Sequence, residues 1–177
     1  LHPRDRRQRQ MCIRDSTLVV ANASNPYILE NGDLLFMNIN SSSSQGPTDD
    51  GRIKPDISGD GTSVYSTVAS TDNSYGSMTG TSMSAPNVSG TLLLLQEYYN
   101  QINGFFMKAS TLKALVCHTA DDDNTVGPDP VFGWGLLNAK FAAETIQDDN
   151  NNLAQIHEGS LNLSLIHISE PTRRSMI

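Results

Sequence analysis

From Ser82 to Tyr99 apolar residues recur at helical spacing. Ala85, Val88, Leu92, Leu95 and Tyr99 share a face, and Leu93 and Leu94 make the middle turns apolar nearly all round. A helix with no polar side in its middle must be covered on every face, so this segment predicts a helix buried in the centre of a domain. Pro86 fits only a first turn, where its missing N–H costs nothing, and that sets the helix start close to Ser82. No apolar run is longer than Leu92–Leu95, far short of a bilayer span.

The surrounding elements are short. Thr17–Ala21 (TLVVA) reads as a buried strand, Asn22–Pro26 as a turn, and Leu34–Ile39 as a second strand. Ser41–Gly61 is rich in Ser, Asp, Gly and Pro and predicts an ordered loop. Ser63–Val68 alternates like a strand, and Tyr75–Thr79 is a weaker strand. Ser110 is placed to cap a second helix with Leu112, Leu115 and Val116 inward. Phe132–Ala139 reads as a glycine turn entering a third helix over Ala139–Ile146, and Asp148–Asn152 as a polar exit. There is no internal repeat. Strands followed by helices, one of them central, predict an α/β fold.

A chain of 177 residues has room for one domain. Lys and Arg number 12 against 19 Asp and Glu, a balance that argues against a nucleic-acid partner. Two cysteines, Cys12 and Cys117, make no disulfide framework. The ends differ in character from the middle. Residues 1–16 carry five basic residues and no apolar stretch that could serve as a secretory signal. They could be a basic arm for nucleic acid or anionic lipid, but back-translation of Arg6–Asp15 yields one half of a transposase-based sequencing adapter. Leu163–Arg173 yields the reverse complement of the same mosaic end with its companion adapter. Residues 1–16 and 163–177 are therefore read as adapter-derived tails without stable contacts to the rest. Residues 17–162, with five Lys and Arg against sixteen Asp and Glu, are read as the native piece.

Gly80–Pro86 (G-T-S-M-S-A-P) carries the chemistry. A serine at a helix N-terminus holds its hydroxyl near the positive end of the dipole, beside backbone N–H groups able to stabilise an oxyanion. A serine in that position is also commonly no more than an N-cap. The stretch G-T-S-M-S-A-P-N-V-S-G (Gly80–Gly90) resembles the nucleophile signature of the subtilases, the subtilisin-like serine peptidases, with Ser82 at the nucleophile position. The likeness extends to Ser43–Pro47 (SSQGP), Gly51–Ile57 (GRIKPDI) with the turn at Gly61 and the strand after it, and Gly133–Ala139 (GWGLLNA). These blocks stand in family order over residues 43–139 and set the cap-only reading aside.

The resemblance implies the C-terminal portion of a three-layer α/β fold with a mostly parallel sheet, Ser82 near a helix start at the sheet edge, and a buried central helix; Ser82 in mid-strand, or exposure of Leu92–Leu95, would overturn the assignment. In subtilases the triad runs Asp, His, Ser along the chain. The aspartate and histidine blocks then belong upstream of Thr17, where this sequence has no room for them. TLVVA resembles the strand that follows the oxyanion-hole asparagine, which implies that this residue is missing too; Asn22 and Asn25 compete for the role by residue type but lack the A-G-N context.

Between the tails only His118 and His157 remain as bases. His118 ends a helix, where an imidazole caps carbonyls, and His157 lies in a polar, solvated stretch. Asp121–Asp123, Asn124 and Asp129 offer oxygens to calcium, but the EF-hand spacing fails at Val126 and a solvated loop fits better. Asp49, Asp50 and Asp56 are loop acids, Asp56 a structural one within the K-P-D block. Cys117 reads as a small core residue.

The resulting expectation is a fragment of a serine endopeptidase that forms its acyl-enzyme on Ser82 and is inactive alone. Its substrate is a polypeptide; nucleic acid and membrane are excluded, and nothing sets the oligomeric state. No cofactor is implied, and calcium, common in the family, has no assignable ligands. The family and the acidic composition point to a secreted or extracellular protein. The rivals are a non-catalytic subtilase-like module that binds peptides or partners, and an esterase using the same serine.

Overall fold

In the computed structural model, residues 17–123, 127–153 and 155–159 are described. Both tails assigned to adapter sequence, with Cys12, lie outside them. Strand β1 (Val20–Ile28) is the middle of three strands, flanked by β2 (Leu34–Ile39) and β3 (Ile57–Asp60). β3 runs parallel to β1, from Val20 opposite Ile57 to Ala23 opposite Asp60. β2 returns antiparallel after the tight turn at Leu29–Asp33, where the Gly32 N–H donates to the Leu29 carbonyl at 2.9 Å. So short a connection permits only an antiparallel return. Among the described residues the sheet is therefore mixed rather than mostly parallel. An isolated parallel bridge from Ser58 to Leu136 extends the other edge of β3.

Asn22–Pro26, expected to turn, lies inside β1. Ala21, Asn22 and Ala23 are buried, and the Asn22 N–H donates to Ser43 Oγ at 3.0 Å, so loop and core hold this stretch extended. The turn signal surfaces as an irregularity instead. The register slips between Ser24 and Tyr27, and Asn25 has φ 48°. Beyond Ala23 the strand pairs with β2 alone, so Pro26 is accommodated without a donor on the open side. β3 arises within the stretch read as loop. Its sequence, ISGD, has no alternation, and its burial comes from packing between β1 and the 135–137 segment.

After β3 come the antiparallel strands β4 (Val64–Thr67) and β5 (Tyr75–Met78), a two-stranded ribbon. Then helix α1 (Thr81–Asn103) packs on β1 and β3, burying Ser84, Val88, Leu95 and Tyr99, and stops at Gly104 in the left-handed region, φ 78°. Its burial is one-sided. Leu95 is 4% exposed, whereas Leu93 and Leu94 are 70% and 66% exposed, contrary to the all-round cover expected. The described elements pack against one face of α1 and leave those two leucines outward. Helix α2 (Ala109–His118) and helix α3 (Ala139–Asp148), the latter followed by a π turn, close the core around Ile57, Val88, Val116, Ala142 and Ile146.

The N-terminus of α2 is stabilised from afar. Ser110 lies inside the helix rather than capping it, and the N-cap residue is Lys108, with no side-chain cap of its own. The carboxylate of Glu158 takes over, accepting from Thr111 Oγ1 and the Lys108 N–H and pairing with Lys108 Nζ at 2.9 Å. These bonds, that from Thr111 first, hold the Glu158 carboxyl below its ordinary value of 4.5. A depressed carboxylate stabilises the folded state above its unfolded value and ceases to do so as pH falls through the folded one. Glu158→Gln is therefore expected to lower the melting midpoint at pH 7, with a gap from the parent that narrows in acid. A gap that does not change with pH would contradict the charge-based cap.

Candidate active site

Ser82 is the second residue of α1 and is exposed. The turn before it is fixed from below. The Gly80 N–H donates to the Gly61 carbonyl at 2.9 Å, and the Ser63 N–H donates to Thr79 Oγ1 at 2.9 Å. Since Gly61 directly follows β3, the hydroxyl sits beyond the carboxyl end of a parallel strand pair, where open α/β sheets place their ligands. Met83 and Ser84 N–H groups turn back to the Gly80 carbonyl at 2.9 and 3.2 Å, and no side chain caps the helix. The first N–H groups of α1 are thus left for an acceptor arriving from outside.

Gly61 is required by close approach. A Cβ there would lie 2.6 Å from the Gly80 carbonyl oxygen, 2.7 Å from Asn22 Oδ1 and 2.7 Å from Ser84 Cβ. Ser84 pins the helix to the sheet: its buried hydroxyl is 2.7 Å from the Ala21 carbonyl and 2.8 Å from that of Gly59, so it joins α1 to both parallel strands. Nothing in the sequence singled out Ser84. A polar residue one turn into a helix with apolar neighbours was the available signal.

Ser82 opens onto a cleft of about 440 Å³ walled by Val64, Val68, Gly76 and Met78 of the ribbon and by Met83 and Pro86 of α1. On the opposite face of the ribbon Tyr65 and Tyr75 stack at 5.8 Å, both largely exposed. His118 and His157 do not join Ser82. Both are exposed and line a separate cleft between α2, α3 and residues 155–159. Of the two asparagines, Asn22 is fully buried and Asn25 is exposed near the end of β1.

The acids occupy structural places. Asp56 accepts from the Val19 N–H at 2.7 Å and from Lys54 Nζ at 2.6 Å, a largely buried pair. Asp50 bonds Thr48 and Arg52 at the surface, and Thr48 chiefly holds its carboxyl below the ordinary value. Asp121 takes the Asn138 amide on both oxygens at 3.1 and 3.0 Å, and burial raises its pKa. Asp129 accepts the Val131 and Phe132 N–H groups at 2.6 and 2.9 Å. Among the described residues no three acidic, His or Cys side chains converge; Asn124, the remaining oxygen donor read from the sequence, lies outside the described residues. Burial, with a smaller push from Asp56, raises the Cys117 thiol to about 11, which removes it as a nucleophile at neutral pH.

Comparison with known proteins agrees with the geometry. The model of the subtilase family matches residues 16–135. The chain belongs to the subtilases. The exposed Leu93 and Leu94 run against the burial expected of this family's central helix, but the match covers most of the chain and decides membership. The chain is 53% identical to a C5a peptidase of Streptococcus pyogenes over 126 residues, 65% of this chain and 11% of the relative. It is 37% identical over 68 residues to an extracellular serine protease of Serratia marcescens, covering 38% of this chain and 6% of that one. The CspB protease of Clostridium perfringens superposes with a TM-score of 0.61 at 25% identity, over 76% of this chain and 27% of its own. This subtilase chain thus spans a small share of each relative's length. Its α/β fold is that of the family, and the relatives it matches are named as peptidases and proteases, that of Serratia as a serine protease.

Proposed function

We propose that Ser82 is the nucleophile of a serine endopeptidase and that this chain is the C-terminal part of its catalytic domain. The observation carrying this reading is the exposed Ser82 hydroxyl at the uncapped start of α1, beyond the carboxyl ends of β1 and β3, in a subtilase chain. Ser82 Oγ bonds to the scissile carbonyl carbon as its proton passes to a base. The C–N bond then breaks, the amine takes that proton, and water releases the acyl group by the same route. The N–H groups at the start of α1 face the developing oxyanion. Of the two asparagines that compete for the side-chain donor's role, Asn25 is the better candidate and stands against the expectation that this donor is missing from the chain, since it is exposed where Asn22 is buried and its φ of 48° is one that asparagine tolerates. The base and its orienting acid are a histidine and an aspartate encoded upstream of Thr17.

The substrate is an extended polypeptide with an apolar side chain seated between Val64, Val68 and Met78. The name of the Serratia relative supports an extracellular setting. A peptide-binding module without catalysis is the second reading, favoured by the absence of a histidine from the Ser82 cleft among the described residues. A peptidyl phosphonate separates the two. The full-length gene product is expected to carry one label, on Ser82, while the 177-residue chain alone takes none for want of a base. No label on the full-length protein would favour the binding module. Stoichiometric labelling of the short chain would show that it supplies its own base.

A further inference from the structure

The Asn22 side chain is fully buried, and its amide nitrogen has no hydrogen-bond partner. Among the described residues no other buried side-chain nitrogen or oxygen is left in that condition. A buried donor without an acceptor destabilises a fold, and packing alone gives no reason to keep one here. Its strand neighbours Ala21 and Ala23 are small, apolar and buried, and a third apolar residue would continue the row.

What the amide does touch leads to the nucleophile. Thr62 Oγ1 donates toward Asn22 Oδ1 at 3.3 Å and also lies 3.2 Å from the Ala23 carbonyl, while it accepts from Asn40 Nδ2 at 3.2 Å. The single Thr62 proton is thus shared between two acceptors, one of them Asn22. Thr62 lies in the loop at Gly61–Ser63, whose flanking residues bind the 79–80 turn through the Gly61 carbonyl and the Ser63 N–H. Asn22 Oδ1 and the Gly80 carbonyl oxygen both lie where a side chain on Gly61 would project, so the loop and the turn close over the Asn22 amide. Asn22 therefore sets the height of the loop on which the Ser82 turn rests.

We propose that Asn22 is a positioning residue for Ser82, retained at a cost in stability because its amide props the Gly61–Ser63 loop under the nucleophile turn. This rests on the reading of Ser82 as the nucleophile. Buried frustration of this kind is tolerated where precise geometry matters, and a displacement of about an ångström can cost on the order of 10²-fold in rate.

The test is Asn22→Leu in the full-length gene product, which keeps the branching at Cγ and removes both polar atoms, with the less bulky Asn22→Val beside it as a control for overpacking in this buried site. The melting midpoint is expected to hold or rise, while kcat falls about 10- to 100-fold with KM within about twofold, the pattern of an interaction made only in the transition state. Thr62→Val, which leaves Asn22 in place, is expected to reproduce the kcat loss, and the double variant to be no worse than either single. A kcat equal to the parent's in Asn22→Leu or in Thr62→Val overturns the proposal. So does a clear fall in midpoint shared by Asn22→Leu and the less bulky Asn22→Val, which would mark the amide as a satisfied structural group, whereas a fall in Asn22→Leu alone reports its extra bulk. If the parent neither hydrolyses peptide nor takes phosphonate, the nucleophile reading itself has failed and positioning falls with it. That failure is recognisable as separate, because the midpoint comparison needs no activity.

Discussion

Ser82→Ala in the full-length gene product is expected to lower kcat about 10⁶-fold with little change in KM, the size of loss found when the nucleophile of subtilisin is removed. Ser82 lies at the exposed start of α1 and makes no hydrogen bond that holds the helix to the sheet; that task falls to Ser84. Its removal should therefore leave the fold and substrate affinity intact and strike only the chemistry. What remains comes from binding and from the backbone donors at the helix start, roughly 10³ to 10⁴ over water. Steady-state kinetics on a peptide library, with melting curves run in parallel, measure both halves. A loss below about tenfold would remove Ser82 from the chemical step and favour the binding module.

Gly135→Ala is expected to be among the most damaging substitutions for stability. Gly135 has φ +115°, and a Cβ there would lie 2.2 Å from the Asp121 carbonyl oxygen and 2.6 Å from its carbon. Neither side can yield cheaply. Asp121 and Leu136 exchange two backbone hydrogen bonds at 2.9 and 2.8 Å, and the Gly135 carbonyl accepts from the Ser58 N–H of β3 at 2.8 Å. The unfavourable φ costs roughly 1–3 kcal/mol, and forcing a methyl group against fixed backbone adds a similar amount. Against the 5–15 kcal/mol typical of a whole domain, that is a large fraction. Urea unfolding of the variant should show a midpoint far below the parent's, and an unchanged midpoint would mean that the 121–136 crossing is looser than its hydrogen bonds imply.

Which parts of this architecture were legible in the sequence follows from where each signal resides. α1 was readable because helical spacing and the Gly-Thr-Ser turn agree locally, although Pro86, expected in the first turn, is the sixth residue of the helix and lies inside it, and β2 because its apolar run is bounded by turn residues. β3 was not, since ISGD has neither alternation nor bulk and becomes a strand only by lying between β1 and residues 135–137. Asn22–Pro26 misled because a turn-like composition was absorbed as a slip in register instead of a chain reversal. At the site, the place of Ser82 follows from local chemistry. The roles of Ser84, Thr62 and Asn22 depend on which carbonyls and loops are folded against them, information that no short window of sequence contains.

The bond from Glu158 to the start of α2 also bears on how this protein should be cut for expression. The polar run after α3 invites a boundary near Asp148, where the last long helix ends. A chain shortened there would lose Ile156, which packs on the core, and the carboxylate that completes the first turn of α2. The minimal folded unit on this side reaches at least Glu158, so tags and fusion partners belong beyond it.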